Sequence, residues 1–247
     1  MRYTPLSPFW REAGGISSIL ERQVHMHNTS NHSRTLEGPQ TAGRTLHWAG
    51  RYDFMTSMMG LGVNSSSSRM VVEMAGIKPG DKVLDVGCGS GNLTLTARKY
   101  AGEAGSVYGI DASPEMIATA RKKAERAGSD THFDVGLIEK IDHPDNTFDA
   151  VINRLMVHHL PDELKRQAFA EVLRALKPGG LFFIADFNRP ANPILAHLSM
   201  VVVGHGMMQT DINILPPMLE QAGYTDVTSG KTRSAFLAFV SGRKPAA

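Results

Sequence analysis

The sequence predicts an α/β fold: a parallel sheet with helices on both faces and an antiparallel hairpin at one edge. Three observations carry this reading. From about Ser66, short apolar runs alternate with helical stretches. The first of these runs ends in a glycine-rich turn, "VLDVGCGSGN" over 83–92. Near the end the rhythm changes, and "YTDVTSGKTRSAFLAFVSGRKP" reads as two strands joined by a short turn.

The elements follow in order. "SSRMVVEMAG" is a helix ending at Gly76, and "DKVLDVG" is a strand with a buried character on both faces. "NLTLTARKYAG" is a helix ending at Gly102, and "GSVYGID" is the second strand. "SPEMIATARKKAERAG" is a helix with Ser113 as N-cap, Pro114 at its first position and Gly128 past its end. "THFDVG" and "TFDAVINR" are the third and fourth strands, and "PDELKRQAFAEVLRAL" is the next helix. "KPGGLFFIADF" is a turn and a fifth strand, and "PPMLEQAGY" is the last helix before the hairpin.

Residues 1–45 differ from the rest. Their polar stretch "HNTSNHSRTLEGPQTAG" has no clear period and reads as a mobile arm, followed by one domain over 46–247. His25, His27 and His32 lie in this arm without a carboxylate or cysteine partner, so no metal site is expected. The net charge of +2 gives no reason to expect a nucleic-acid binder. No apolar run approaches the roughly 20 residues of a membrane span. Cys88 is the single cysteine, so no intrachain disulfide forms. With no secretory signal at the N-terminus, a cytoplasmic setting is expected.

The glycine turn locates a ligand. In open α/β sheets, ligands sit beyond the carboxyl ends of the strands. Gly87, Gly89 and Gly91 let a backbone come close, and the helix starting near Asn92 offers free N–H groups. The spacing is not that of the dinucleotide fingerprint, because Asn92 stands where its third glycine would be. Asp111 ends the second strand, where a carboxylate accepts both hydroxyls of a ribose. Together these features define an adenosine-type site.

Four stretches, "VLDVGCGSG", "VYGIDASPEMIATARKKA", "NTFDAVINRLMVHHL" and "EVLRALKPGGLFFIAD", resemble the class I S-adenosylmethionine-dependent methyltransferases. The resemblance implies a Rossmann-like seven-stranded sheet of order 3-2-1-4-5-7-6 with strand 7 antiparallel. It also implies S-adenosylmethionine as the cofactor and S-adenosylhomocysteine as the product. Asp85 and Gly87 would meet its methionine end, and Gly89 and Gly91 would let adenosine lie against the turn, with Cys88 between them. Asp111 would hold the ribose, with Ala112 and Met116 near the adenine. Leu137 and Ile138 stand where many relatives carry an acid and an alanine. Leu137 accepts no hydrogen bond, so backbone atoms or Glu139 would meet the adenine amine, or the site is looser. Asn153 and Arg154 would lie near the methionine portion or the methyl. Tyr52, with Phe54 and Trp48, would close over the cofactor from the N-terminal side. The stretch 47–62 and the ending "KTRSAFLAFVSGRKP" resemble the ubiquinone/menaquinone-biosynthesis C-methyltransferase branch.

The acceptor is read less directly. His158, His159 and Asp186, at strand ends, are the candidates for a general base or its partner. A Met-rich cap within 187–211 suits a small, mostly apolar or aromatic acceptor. The arm or the cap would also serve a homodimer. An RNA or protein methyltransferase is the alternative enzyme. A third class is a protein of this fold that binds the cofactor without methyl transfer.

Overall fold

The computed structural model describes residues 38–43, 66–188, 212–234 and 237–246. All of them fall in a unit that runs from Glu37 to Ala247. The seven strands are β1 (Lys82–Val86), β2 (Ser106–Asp111), β3 (His132–Val135), β4 (Phe148–Arg154), β5 (Leu176–Phe187), β6 (Thr225–Lys231) and β7 (Leu237–Arg243). They form one sheet of order β3-β2-β1-β4-β5-β7-β6. β1 pairs in parallel with β2 and β4, and β7 runs antiparallel to both of its neighbours. This is the order and hand of pairing that the resemblance implied.

The central strand explains itself from its composition. Four of the five residues of β1 are buried, because both faces are covered. Helices α1 (Ser66–Met74), α2 (Asn92–Ala101) and α3 (Pro114–Arg126) cover one face. There Met70, Val71, Leu93 and Ala97 pack on Val83, Ile152 and Phe183. Helices α4 (Asp162–Ala175) and α5 (Leu215–Gln221) cover the other. There Phe169, Val172, Leu215 and Leu219 pack on Leu84, Val151, Phe182 and Ile184. Each such side chain contributes roughly 1.5–3 kcal/mol on burial, before entropy is charged against it. Ser113 caps α3 by accepting from the Met116 N–H at 3.3 Å, with Pro114 in the first turn.

One expectation is corrected. The "KPGG" stretch lies within β5 as a bulge rather than as a turn before it, since Leu176 pairs with Phe148 and Leu181 with Ala150. Its orphan groups find partners across the sheet. Gly179 N–H donates to the Lys244 carbonyl, and Lys244 N–H to the Gly180 carbonyl, both at 2.9 Å. The cost of leaving buried backbone groups unpaired drives this pairing. The register shift between Phe148 and Ala150 absorbs the irregularity.

The turn out of β1 is held from below. Gly87 and Cys88 both donate their N–H to the Ile110 carbonyl, at 2.8 and 2.9 Å. Gly91 has φ +82, and a Cβ there would lie 2.8 Å from Phe133 and 2.9 Å from Ala120. Its small size therefore serves helix–sheet packing. Gly91→Ala should lower the melting temperature clearly, by about 1–3 kcal/mol of overpacking plus a similar backbone strain. A thermal scan that matches wild type would remove this packing role.

Candidate functional site

The site is assembled at the carboxyl ends of β1, β2 and β4. Asp85, one residue before the end of β1, is 1 % exposed. Its Oδ2 accepts a 2.6 Å bond from Thr94 Oγ1, in the first turn of α2. Its Oδ1 has no partner among the described residues. Burial pushes the Asp85 carboxyl up to about 7, against the opposing pull of the Thr94 hydroxyl and the Arg154 charge. Asn153, near the end of β4, is fully buried. Its Nδ2 donates to the Val86 carbonyl at 2.6 Å, while its Oδ1 has no partner among the described residues. Two buried acceptors near the strand ends thus lack donors, a condition that costs free energy unless a ligand supplies them. Arg154 donates to Ser67 Oγ at 2.6 Å and ties β4 to α1.

Asp111 closes β2. Its Oδ2 accepts the Gly89 N–H at 2.9 Å, and its Oδ1 accepts the Ser113 N–H at 2.8 Å. Burial raises this carboxyl from its ordinary value, opposed by those two backbone donors. Gly89, with φ +54, faces open space where a Cβ would stand. Of the three glycines of the turn, Gly89 alone leaves room above the backbone. The Cβ position of Gly87 is filled by Met156, which Leu155, at φ +59 and 7 % exposed, swings over the turn.

The other expected residues fall in two groups. Ala112 is half-buried and Met116 is buried in the first turn of α3. Leu137 is half-buried and bridged to Lys140. The side chains of Cys88 and Ile138 are taken up by packing. Cys88 lies among Ile117, Ala120 and Phe133, with its thiol pushed up by burial. Ile138 joins Ile110 and Leu160. Tyr52, Trp48 and Phe54, the cap beyond Asn188 and the histidines of the arm lie outside the described residues.

His158 and Asp186 meet behind the rim. His158 Nδ1 and Asp186 Oδ1 are 2.7 Å apart, and Asp186 Oδ2 accepts the His158 backbone N–H at 3.0 Å. Phe187 N–H also donates to Oδ1 at 2.8 Å. At 7 % and 3 % exposure, the pair is withdrawn from solvent. The His159 ring lies 4.0 Å from that of His158, centroid to centroid. Sequence reasoning missed Thr94 and Met156. The signal for Thr94 was its place in the first turn of α2, beside the end of the strand that carries Asp85. Met156 had no signal, because its position depends on the φ of Leu155.

Comparison with known proteins agrees with this geometry. Residues 83–180 match the family described as Methyltransferase domain. The ubiquinone/menaquinone biosynthesis C-methyltransferase UbiE of Hydrogenovibrio crunogenus is 33% identical over 150 residues, which cover 60% of this chain and 58% of that protein. Its counterpart from Shewanella piezotolerans is 34% identical over 168 residues, 66% of each chain. A solved S-adenosylmethionine-dependent methyltransferase from Aquifex aeolicus superposes with a TM-score of 0.58 at 24% identity, covering 77% of this chain and 98% of that one. The chain belongs to the class I S-adenosylmethionine-dependent methyltransferases. Within them it is related to the ubiquinone/menaquinone biosynthesis C-methyltransferases, spanning about 58% of the length of the first of those relatives.

The residues fit the cofactor of that class. A positively charged amino group would answer the open oxygen of Asp85, and a ribose would find room at Gly89 and acceptors at Asp111. Two outcomes follow. Asp85 binds a proton in the folded chain up to about 7 but only to 3.8 when unfolded. Its contribution to stability is therefore full below the lower value and is lost as pH rises through the upper one. Asp85→Asn should flatten this fall in ligand-free thermal scans between pH 4 and 8. Calorimetry near pH 7 should also show proton release when S-adenosylhomocysteine binds wild type and none in the variant. Gly89→Ala should weaken that binding by tenfold or more, because its Cβ enters space the described residues leave open, at a cost of about 1–2 kcal/mol in stability from the left-handed backbone alone. Unchanged affinity would place the ligand elsewhere.

Proposed function

We propose that the protein transfers a methyl group from S-adenosylmethionine to a small, mostly apolar or aromatic acceptor, with a hydroquinone-type ring as the first class to test. The open buried oxygen of Asp85 beside the glycine turn carries the cofactor half of this reading. The acceptor half is supported by relatives named for ubiquinone/menaquinone biosynthesis.

The cofactor supplies a methyl group on a sulfonium that is already electrophilic. The protein's work is therefore orientation and exclusion of water. Asp85 and Asn153 hold the methionine end, and Asp111 holds the ribose. Methylation at a ring carbon is favoured when a neighbouring phenol loses its proton. His158 takes that proton, and Asp186 fixes the imidazole by accepting from Nδ1. The ring carbon takes the methyl as its bond to sulfur breaks, and the hydrogen on that carbon then passes to the phenolate oxygen and restores the aromatic ring. Asp186 already receives three hydrogen bonds, so its own part is to position His158.

Purified protein with methyl-labelled S-adenosylmethionine should label a short-chain hydroquinone or substituted phenol, on carbon, in a panel that also holds amines, a transfer RNA and protein substrates. Label on RNA or protein would replace this reading with the macromolecular one. Binding of S-adenosylhomocysteine with no labelled product would point to a fold kept for binding alone. His158→Gln should lower turnover by about a hundredfold, within the range of a lost general base. It should leave S-adenosylhomocysteine affinity within threefold of wild type. A variant with normal turnover, or one that loses cofactor affinity in parallel, would make the pair a structural clamp.

A further inference from the structure

A cavity of about 450 Å³ opens between α1 and the turn that follows β6. Ser66, Ser67, Arg69, Met70 and Glu73 line it from the helix, and Arg233 and Ser234 from the turn. Its volume is in the range, roughly 300–1,000 Å³, of sites that hold small molecules. The topology brings it to the rim where the cofactor site lies. β5 and β6 each run antiparallel to β7, so β6 is parallel to β4 and β5 and ends on the same edge as they do. Arg154, the neighbour of Asn153 at the end of β4, donates to Ser67 Oγ at 2.6 Å. The Ser67 wall of the cavity is thus one hydrogen bond from the end of β4.

The lining holds two guanidinium groups and one carboxylate. That carboxylate is already answered on both oxygens. Glu73 Oε1 accepts from the Tyr100 hydroxyl at 3.2 Å, and Oε2 from Arg233 Nη1 at 3.3 Å. Glu73 therefore aims Arg233 across the cavity and uses one edge of its fork. Arg69 stands four positions before Glu73, the weaker order for a helical ion pair, and no ion pair or hydrogen bond ties it among the described residues. Its five N–H donors face water or a ligand. The turn that carries Arg233 is fixed from within. Thr232 Oγ1 donates to the Leu237 carbonyl at 2.7 Å and accepts the Ser234 N–H at 3.1 Å. Two arginines from elements far apart in sequence thus converge on one concavity. A guanidinium fork matches the paired oxygens of a carboxylate or a phosphate.

We propose that this cavity is an oxyanion site that takes a carboxylate or phosphate substituent of the methyl acceptor, with Arg69 and Arg233 as its forks. This rests on the methyl-transfer reading above. It makes the acceptor amphipathic, with its aromatic ring at the transferred methyl and its acid between α1 and the turn after β6. Arg69 and Arg233 are exposed, so the interaction is screened by salt.

The test compares 2,5-dihydroxyphenylacetate with its methyl ester, which share a hydroquinone ring and differ in charge. Both are offered to the full chain with methyl-labelled S-adenosylmethionine at low salt. Wild type should favour the acid by about fivefold or more in kcat/KM, the effect of charged hydrogen bonds at exposed arginines. Sodium chloride at about 0.5 M should remove most of that preference. Arg69→Gln combined with Arg233→Gln should bring the ratio below about twofold. The ester's rate and the affinity for S-adenosylhomocysteine should stay near wild type. Inorganic phosphate should raise KM for the acid and leave that for the ester unchanged. A wild-type ratio near one, with the ester methylated, overturns this proposal alone. An equal loss for both compounds in the double variant does the same, because it marks a structural role. Equal inhibition of both by phosphate also overturns it, since the anion then binds apart from the acceptor. Methylation of neither compound overturns the hydroquinone reading and this proposal with it.

Discussion

A carboxylate buried near the head of the central strand, with one oxygen answered by a single hydroxyl, sets the terms for the rest of this structure. Asp85 is carried into the interior by β1, which must be apolar on both faces to sit in the middle of the sheet. Placing an acid there costs free energy, and the cost appears as a carboxyl held up to about 7. Thr94 offsets part of it by donating from the helix that the glycine turn launches. The turn must therefore be short enough to bring the first turn of α2 over the end of β1. The crowding at Gly87 and Gly91 is the result. Strand, turn and helix are one device, and the site inherits its geometry.

The same device divides labour among three glycines that look alike in the chain. Gly91 is small because Phe133 and Ala120 press on it, and Gly87 because Met156 lies across it. Gly89 leaves space above the backbone while its N–H is held by Asp111. Binding and packing thus make opposite demands on neighbouring residues, one needing room and the others close contact. The Cys88 side chain follows the packing side of that division, turned into the cluster beneath α3.

Around this centre, the rim is stitched by groups far apart in sequence. Asp186 at the end of β5 gathers the His158 ring, the His158 backbone and its own neighbour Phe187. Arg154 ties β4 to α1 through Ser67. Lys123 of α3 reaches Ser90 and Asn92 at 2.9 and 3.1 Å, bracing the glycine turn from outside. Thr41 does the same for the turn after β3. Such charged and hydrogen-bonded braces hold turns in fixed positions, which matters when a rate depends on the alignment of two reacting atoms.

The fold was legible in the sequence because its causes are local and periodic. Alternating buried runs and amphipathic helices, the Ser113–Pro114 start of α3 and the acids at or near the ends of the first two strands depend on neighbours within a few positions. Asp85, Gly89 and Asp111 were legible as site residues for the same reason, since strand ends and glycine turns announce themselves in order. What the sequence could not decide were the directions in which side chains point once helices and strands are packed. That Ile138 and Cys88 belong to the core, that "KPGG" finds partners at Lys244, and that His158 closes on Asp186 are settled by contacts across 20 to 100 positions or by one unusual φ. The sequence by itself determined which strands form and where the acid and glycine stand along them. Only tertiary packing decided which polar atoms were satisfied and which, at Asp85 and Asn153, were left open by the described residues. Satisfaction of a buried group is a property of everything that surrounds it, not of the residue that carries it.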